Sequence, residues 1–126
     1  MKSGLGILKY ATEAIYEGNW MNDRANGMGI MKYANEDRYE GQWLEGAKHG
    51  KGTYYFHDGS KFTGDWEIDD KNGIGEFIHS NGDRFNGEWK DGEKSGRGTY
   101  YYCNGDKYEG EWRSDKRNGN GTLIIQ

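Results

Sequence analysis

Five tryptophans, Trp20, Trp43, Trp66, Trp89 and Trp112, follow one another at intervals of 23 residues. Four positions ahead of each stands another ring, at Tyr16, Tyr39, Phe62, Phe85 and Tyr108, and midway lies a glycine, at Gly18, Gly41, Gly64, Gly87 and Gly110. A Gly-x-Gly pair keeps the same period from Gly4/Gly6 through Gly27/Gly29, Gly50/Gly52, Gly73/Gly75 and Gly96/Gly98 to Gly119/Gly121. An uninterrupted period of this length restricts the chain to copies of one supersecondary unit, stacked because a single unit cannot bury its own apolar face.

Composition agrees with an ordered array and excludes an ordinary globular core. Leu, Ile, Val and Phe supply only 16 of the 126 residues, a level that by itself would signal disorder. The 22 glycines are dispersed, however, and aromatics make up 15% of the chain, so rings and glycines replace aliphatic packing. All the remaining aromatics fall in register with the repeat: Tyr10, Tyr33, Phe56 and Tyr102 in one column, Tyr54, Phe77 and Tyr100 in a second, Tyr55 and Tyr101 in a third.

Within a unit the period is two, as in Phe62-x-Gly64-x-Trp66 and Gly50-x-Gly52-x-Tyr54-x-Phe56, with Lys61, Thr63, Asp65, Lys51 and Thr53 alternating. This is strand patterning. Asp58-Gly59, Asn81-Gly82 and Asn104-Gly105 mark one set of turns, and Glu45-Gly46, Asp69-Asp70 and Asp91-Gly92 the other. A two-residue loop at Asp58-Gly59 would pair Phe56 with Lys61 and mix rings with charges on both faces. A three-residue loop, His57-Asp58-Gly59 with a left-handed Gly59, instead pairs Phe56 with Ser60, Tyr54 with Phe62, Gly52 with Gly64 and Gly50 with Trp66. That register gathers every ring except Tyr55 and Tyr101 on one face, opposite glycines over which a ring can lie flat.

The expected fold is therefore all-β: an elongated, twisted antiparallel β-meander of 23-residue hairpins, one layer thick and trough-like. Eleven strands at about 4.8 Å each give a ribbon on the order of 50 Å long. The chain reads as one domain over residues 1–126, with a half repeat at 4–15, repeats at 16–38, 39–61, 62–84 and 85–107, and a final repeat at 108–126.

Tyr39-Glu40-Gly41-Gln42-Trp43 followed by Lys48-His49-Gly50-Lys51-Gly52-Thr53-Tyr54 closely resembles the MORN repeat, the membrane occupation and recognition nexus motif, as does Tyr108-Glu109-Gly110-Glu111-Trp112. Phe62-Thr63 and Phe85-Asn86 depart from the Tyr-Glu of the motif, and the turns at Thr12-Glu13 and Asn35-Glu36 lack glycine, which predicts looser turns there. The resemblance implies an antiparallel scaffold or docking module, in cytoskeletal, ciliary or membrane-associated assemblies. It implies no catalytic domain and leaves the partner open.

Two surfaces stand out as binding candidates. A sheet with one apolar side and no covering layer leaves contiguous aromatic surface. The trough lined by Tyr33, Tyr54, Phe56, Phe77, Tyr100 and Tyr102, with Trp43, Trp66 and Trp89, is the candidate groove for an extended or helical protein segment. The alternative is a peripheral membrane module that places Lys48, Lys71, Lys94, Arg97, Lys116 and Arg117 of the second turns on anionic phospholipid. Arg38, Lys61, Arg84 and Lys107 form another basic column, but Glu40, Asp65, Glu88, Glu109 and Glu111 stand beside it, so ion-pair ladders are expected there.

Other chemistries find no support in the residues. The net charge of −4 provides no field to gather nucleic acid. Six recurrences of Gly-x-Gly contradict a single phosphate cradle. His49, His57 and His79 occupy different repeat positions without ligand spacing, the lone Cys103 has no activating neighbour in sequence, and no nucleophile has an orienting partner. Neither cofactor nor metal nor enzymatic activity is expected. One cysteine and the absence of a secretory stretch after Met1-Lys2-Ser3 suggest a cytoplasmic protein, placed at the cytoskeleton or cilium by the resemblance alone. The apolar end Leu123-Ile124-Ile125 and the Gly4-x-Gly6 start suggest homo-association through edge strands.

Overall fold

A computed structural model describes residues 3–21 and 24–126. Met1 and Lys2, part of the stretch read above for a secretory segment, lie outside the described residues. Eleven strands form one antiparallel sheet in strict sequence order: β1 Ser3–Lys9, β2 Ile15–Met21, β3 Arg24–Lys32, β4 Arg38–Leu44, β5 Ala47–Tyr55, β6 Lys61–Glu67, β7 Asp70–Ile78, β8 Arg84–Lys90, β9 Glu93–Tyr101, β10 Lys107–Arg113 and β11 Lys116–Ile124. Every strand packs on its sequence neighbours, the nearest-neighbour logic of a repeat array.

The register follows the three-residue loop. Tyr54 opposes Phe62, Gly52 opposes Gly64 and Gly50 opposes Trp66, with Phe56 N–H donating to Ser60 O at 2.9 Å and Gly59 N–H to Phe56 O at 3.1 Å. The two turns without glycine are no looser. Tyr10 N–H reaches Ala14 O at 2.9 Å and Tyr33 N–H reaches Asp37 O at 2.9 Å, the same closure, with Glu13 at φ 74° and Glu36 at φ 77° taking the left-handed place of Gly59. The second turn falls one residue earlier than expected: Glu67 opposes Asp70, so the bend is Ile68-Asp69, not Asp69-Asp70. Both its residues have positive φ, 45° and 68°, as a type I′ hairpin requires.

The two glycines of each Gly-x-Gly pair serve different physical ends. Between β4 and β5, Gly41 opposes Gly52 while Trp43 opposes Lys48, so His49, Gly50 and Lys51 all face Gln42. Gly50 is the bulge residue, with φ 76°. Gly52 has ordinary backbone, but a Cβ there would stand 2.0 Å from the Tyr39 hydroxyl, because the ring lies flat on the bare strand. A surplus of two residues preserves the alternation of faces while bending the long strand, and the same irregularity recurs beside β2, β6, β8 and β10.

The core is this ring layer. Tyr16, Tyr39, Phe62 and Phe85 are fully buried, and Trp43, Trp66, Trp89, Tyr108 and Trp112 nearly so. Each of Trp43, Trp66, Trp89 and Trp112 stands edge-on between the ring of its own repeat and that of the repeat before; Trp66, for example, lies 5.3 Å from Phe62 and 5.4 Å from Tyr39 at 88° and 87°. Its indole N–H donates to Gly52 O at 3.1 Å, and Trp43, Trp89 and Trp112 repeat the bond to Gly29, Gly75 and Gly98.

Candidate functional site

The rings left partly exposed form one row along the inner face. Tyr33 and Tyr54 lie 5.8 Å apart between centroids, Tyr54 and Phe56 4.6 Å, Phe56 and Phe77 5.5 Å, Phe77 and His79 4.6 Å, His79 and Tyr100 5.8 Å, and Tyr100 and Tyr102 4.7 Å. Offset-stacked and tilted contacts of this kind are favourable for aromatic quadrupoles. All six non-tryptophan rings of the candidate groove are therefore brought together. His79 joins them unannounced, although its number places it in the column of Phe56 and Tyr102. Burial lowers its pKa, with Lys94 adding to the effect, and its Nε2 has no hydrogen-bond partner. Trp43, Trp66 and Trp89 do not share that surface: at 4%, 6% and 5% exposure they are the floor beneath it.

The row is held in place at its turns by a second column. Asp37 accepts from Tyr54 Oη at 2.7 Å and from His57 N at 2.8 Å, and pairs with His57 Nδ1 at 2.8 Å. Asp83 does the same two repeats on, taking Tyr100 Oη at 2.8 Å and Cys103 N at 2.8 Å. Burial would raise the Asp37 carboxyl, but the bonds from His57, Tyr54 and Asn35 outweigh it and hold the group below its ordinary range. His57 is raised in return, chiefly by the Asp37 hydrogen bond. Burial pushes the Tyr33 hydroxyl up to about 12, assisted by Asp69 and Asp37.

The basic turn residues do not form one stripe. The double surplus in each bulge turns Lys48 to the ring face opposite Trp43, and the same holds for Lys71, Lys94 and Arg117 opposite Trp66, Trp89 and Trp112. Lys48 Nζ sits 5.5 to 6.0 Å from the rings of Trp66, Tyr54, Tyr39, Tyr33 and Trp43, and its side chain is 12% exposed. Lys94 is enclosed in the same way by Phe85, Trp89 and Trp112. Arg97 opposes Glu111, and Lys116 opposes Arg113, at positions whose side chains alternate to the other face. The six basic residues therefore do not share one face, and the lysines within the cages are engaged by rings.

The outer face carries the expected ladders only in part, together with an unexpected function. Arg38 pairs with Glu40 at 2.8 Å and Lys107 with Glu109 at 3.1 Å as expected, but Arg84 pairs with Glu76 at 3.6 Å, and Lys61 has no ion pair among the described residues. Tyr55 and Tyr101, the two rings on this side, lie under Arg38 and Arg84 at 4.2 and 4.3 Å. Asp65, Glu88 and Glu111 also accept from the amides of Ile74, Arg97 and Asn120 at 3.0, 2.7 and 3.3 Å. Gln42 does so for Lys51 at 2.7 Å. These side chains close the backbone bond that each bulge leaves open.

At the start of the trough three columns shrink. Ala14 stands in the column of Asp37, Ala25 in that of Lys48 and Met31 in that of Tyr54. The vacated volume is a cavity of about 360 Å³ lined by Tyr10, Thr12, Ala14, Arg24, Met31, Tyr33, Glu45 and Gly46. Among the described residues, no group of three His, Cys, Asp or Glu is placed to hold a metal ion, and no helix is long and apolar enough to cross a membrane.

The MORN repeat sequence model matches residues 16–38, 39–61, 62–84, 85–107 and 108–125. The chain belongs to the MORN repeat family. MORN repeats are modules associated with proteins and membranes, and the single sheet of ring-bearing hairpins is their architecture realised here. No curated protein matches this MORN chain in sequence comparison.

Proposed function

We propose that this MORN array is a non-catalytic scaffold that binds a protein segment along the inner aromatic row. One observation carries the reading: Tyr33, Tyr54, Phe56, Phe77, His79, Tyr100 and Tyr102 form an unbroken line of half-buried rings over a floor of buried tryptophans. A line of rigid rings recognises a partner at little entropic cost, since the trough is already ordered. The site of action is a cytoplasmic assembly, cytoskeletal or ciliary, as the family resemblance implies.

The test compares wild type with Phe56→Ala/Tyr102→Ala in affinity capture from cytosol at low and high salt, with sedimentation on phosphatidylserine vesicles in parallel. Tyr54 and Tyr100 are poorer probes, because their loss would also leave Asp37 and Asp83 short of a donor. A partner retained at high salt and lost in the double variant is the expected result. Salt-sensitive vesicle binding that is indifferent to the rings would refute it.

A further inference from the structure

Three lysines occupy equivalent cages in the trough, and two are satisfied from within. Lys48 Nζ pairs with Asp69 at 3.2 Å and Lys94 Nζ with Asp115 at 3.7 Å. In both, the same aspartate also receives the lysine's backbone N–H at 2.8 Å and donates its own N–H back to the lysine carbonyl. The equivalent position for Lys71 is Gly92, which keeps the backbone bond to Lys71 O at 2.9 Å but brings no carboxylate. The repeat is otherwise consistent: where the lysine column begins with Ala25, its turn partner is Gly46, so no charge is wanted there.

Lys71 is thus a cation set among Trp89, Phe62 and Phe77 at 5.4, 5.6 and 5.9 Å, with no ion pair among the described residues. Phe77 is a member of the partly exposed ring row, and His79 packs on it at 4.6 Å between centroids. Burial holds the Lys71 ammonium below its ordinary pKa even though Asp115 and Asp70 favour its charge. A cation kept from water without a counter-ion is costly, and an incoming carboxylate relieves that cost.

We propose that the segment seated in the trough carries an Asp or Glu side chain that pairs with Lys71. The inference rests on the trough reading and specifies its partner: an acidic residue flanked by apolar ones. A carboxylate is favoured over a phosphate because the two sister cages already hold one, at ordinary ion-pair distances. Recognition would then be fixed in register along the trough, since of the three lysine cages only the central one has no ion pair among the described residues.

Gly92→Asp tests this without removing any group. Asp69 and Asp115 hold φ 68° at the same place, and a Cβ on Gly92 would meet nothing nearer than Asp70 Oδ1 at 3.8 Å, so the side chain fits. Random twelve-residue peptides displayed on mRNA are selected on the wild-type chain and depleted on Phe56→Ala/Tyr102→Ala. The expected winners share an Asp or Glu between apolar residues. Changing it to Asn or Gln should weaken binding roughly tenfold on wild type and hardly at all on Gly92→Asp. Lys71→Gln provides the same readout should Gly92→Asp fail to fold. Winners that lack an acidic residue, or that bind Gly92→Asp and Lys71→Gln as tightly as wild type, would overturn the Lys71 proposal and leave the trough standing. Failure to enrich any peptide that distinguishes wild type from the ring variant would overturn both.

Discussion

Adding one methyl group at Gly75 should cost as much as a typical core deletion. A Cβ there would lie 2.2 Å from Phe62 Cζ and 2.5 Å from Cε1. The ring cannot yield, because it is fully buried and held edge-on by Trp66 at 5.3 Å and Trp89 at 5.0 Å. An aromatic ring buries about 150–250 Å², so its contribution is about 4–6 kcal/mol at about 25 cal/mol per Å². Partial expulsion of the ring, or the strain of keeping it, should therefore cost Gly75→Ala about 3 kcal/mol. Urea denaturation followed by tryptophan fluorescence measures this as a fall in midpoint. Glu76→Ala, next along the strand on the outer face, should change stability by no more than about 0.5 kcal/mol. In a Phe62→Leu background the penalty of Gly75→Ala should shrink by at least about 1 kcal/mol, since the ring tip is gone. Equal penalties in the two backgrounds, or a Gly75→Ala protein as stable as wild type, would refute the idea that the glycine exists to seat the ring.

Ile68 is 73% exposed and sits at φ 45°, where a β-branched residue is strained. Ile68→Asn should stabilise the chain by about 1 kcal/mol, read as a higher urea midpoint. Trp66→Phe removes the donor to Gly52 O while keeping a ring in place, and should cost about 1–2 kcal/mol by the same assay. The pair of His57 with Asp37 should be visible in pH titration. His57 is raised in the folded state, so its contribution is complete below the ordinary value of 6.5 and fades as pH rises through the folded pKa. Asp37 is lowered, so its contribution is present above the ordinary 3.8 and fades as pH falls through its folded value. In Asp37→Asn, the His57 ring resonances should titrate back near 6.5; an unchanged midpoint would rule out the pairing.

A strict period made much of this molecule legible in one dimension. The 23-residue spacing of tryptophans, the alternation within Phe62-x-Gly64-x-Trp66 and the parity argument at His57-Asp58-Gly59 together determined the meander, the register and the ring-bearing face. Those features depend on local pairing and side-chain alternation, which every copy repeats, so each copy checks the others. Even the place of His79 in the ring row and the turn at Ile68-Asp69 could be read from column positions.

What only the tertiary structure decided follows from the bulge. Three residues, His49, Gly50 and Lys51, oppose Gln42 alone, and nothing in composition or period tells whether the surplus in such a bulge is one or two. With one, Lys48 would face solvent beside Lys51; with two, it faces Trp43 and enters a cage of rings. That single parity moved the basic column from a candidate membrane surface into the trough. It also left Lys71, whose turn partner is Gly92 and not aspartate, as a cation with no ion pair among the described residues. Sequence spacing specifies which residues repeat, while the face that a residue presents after an irregularity is settled by the hydrogen bonds and packing of the folded sheet.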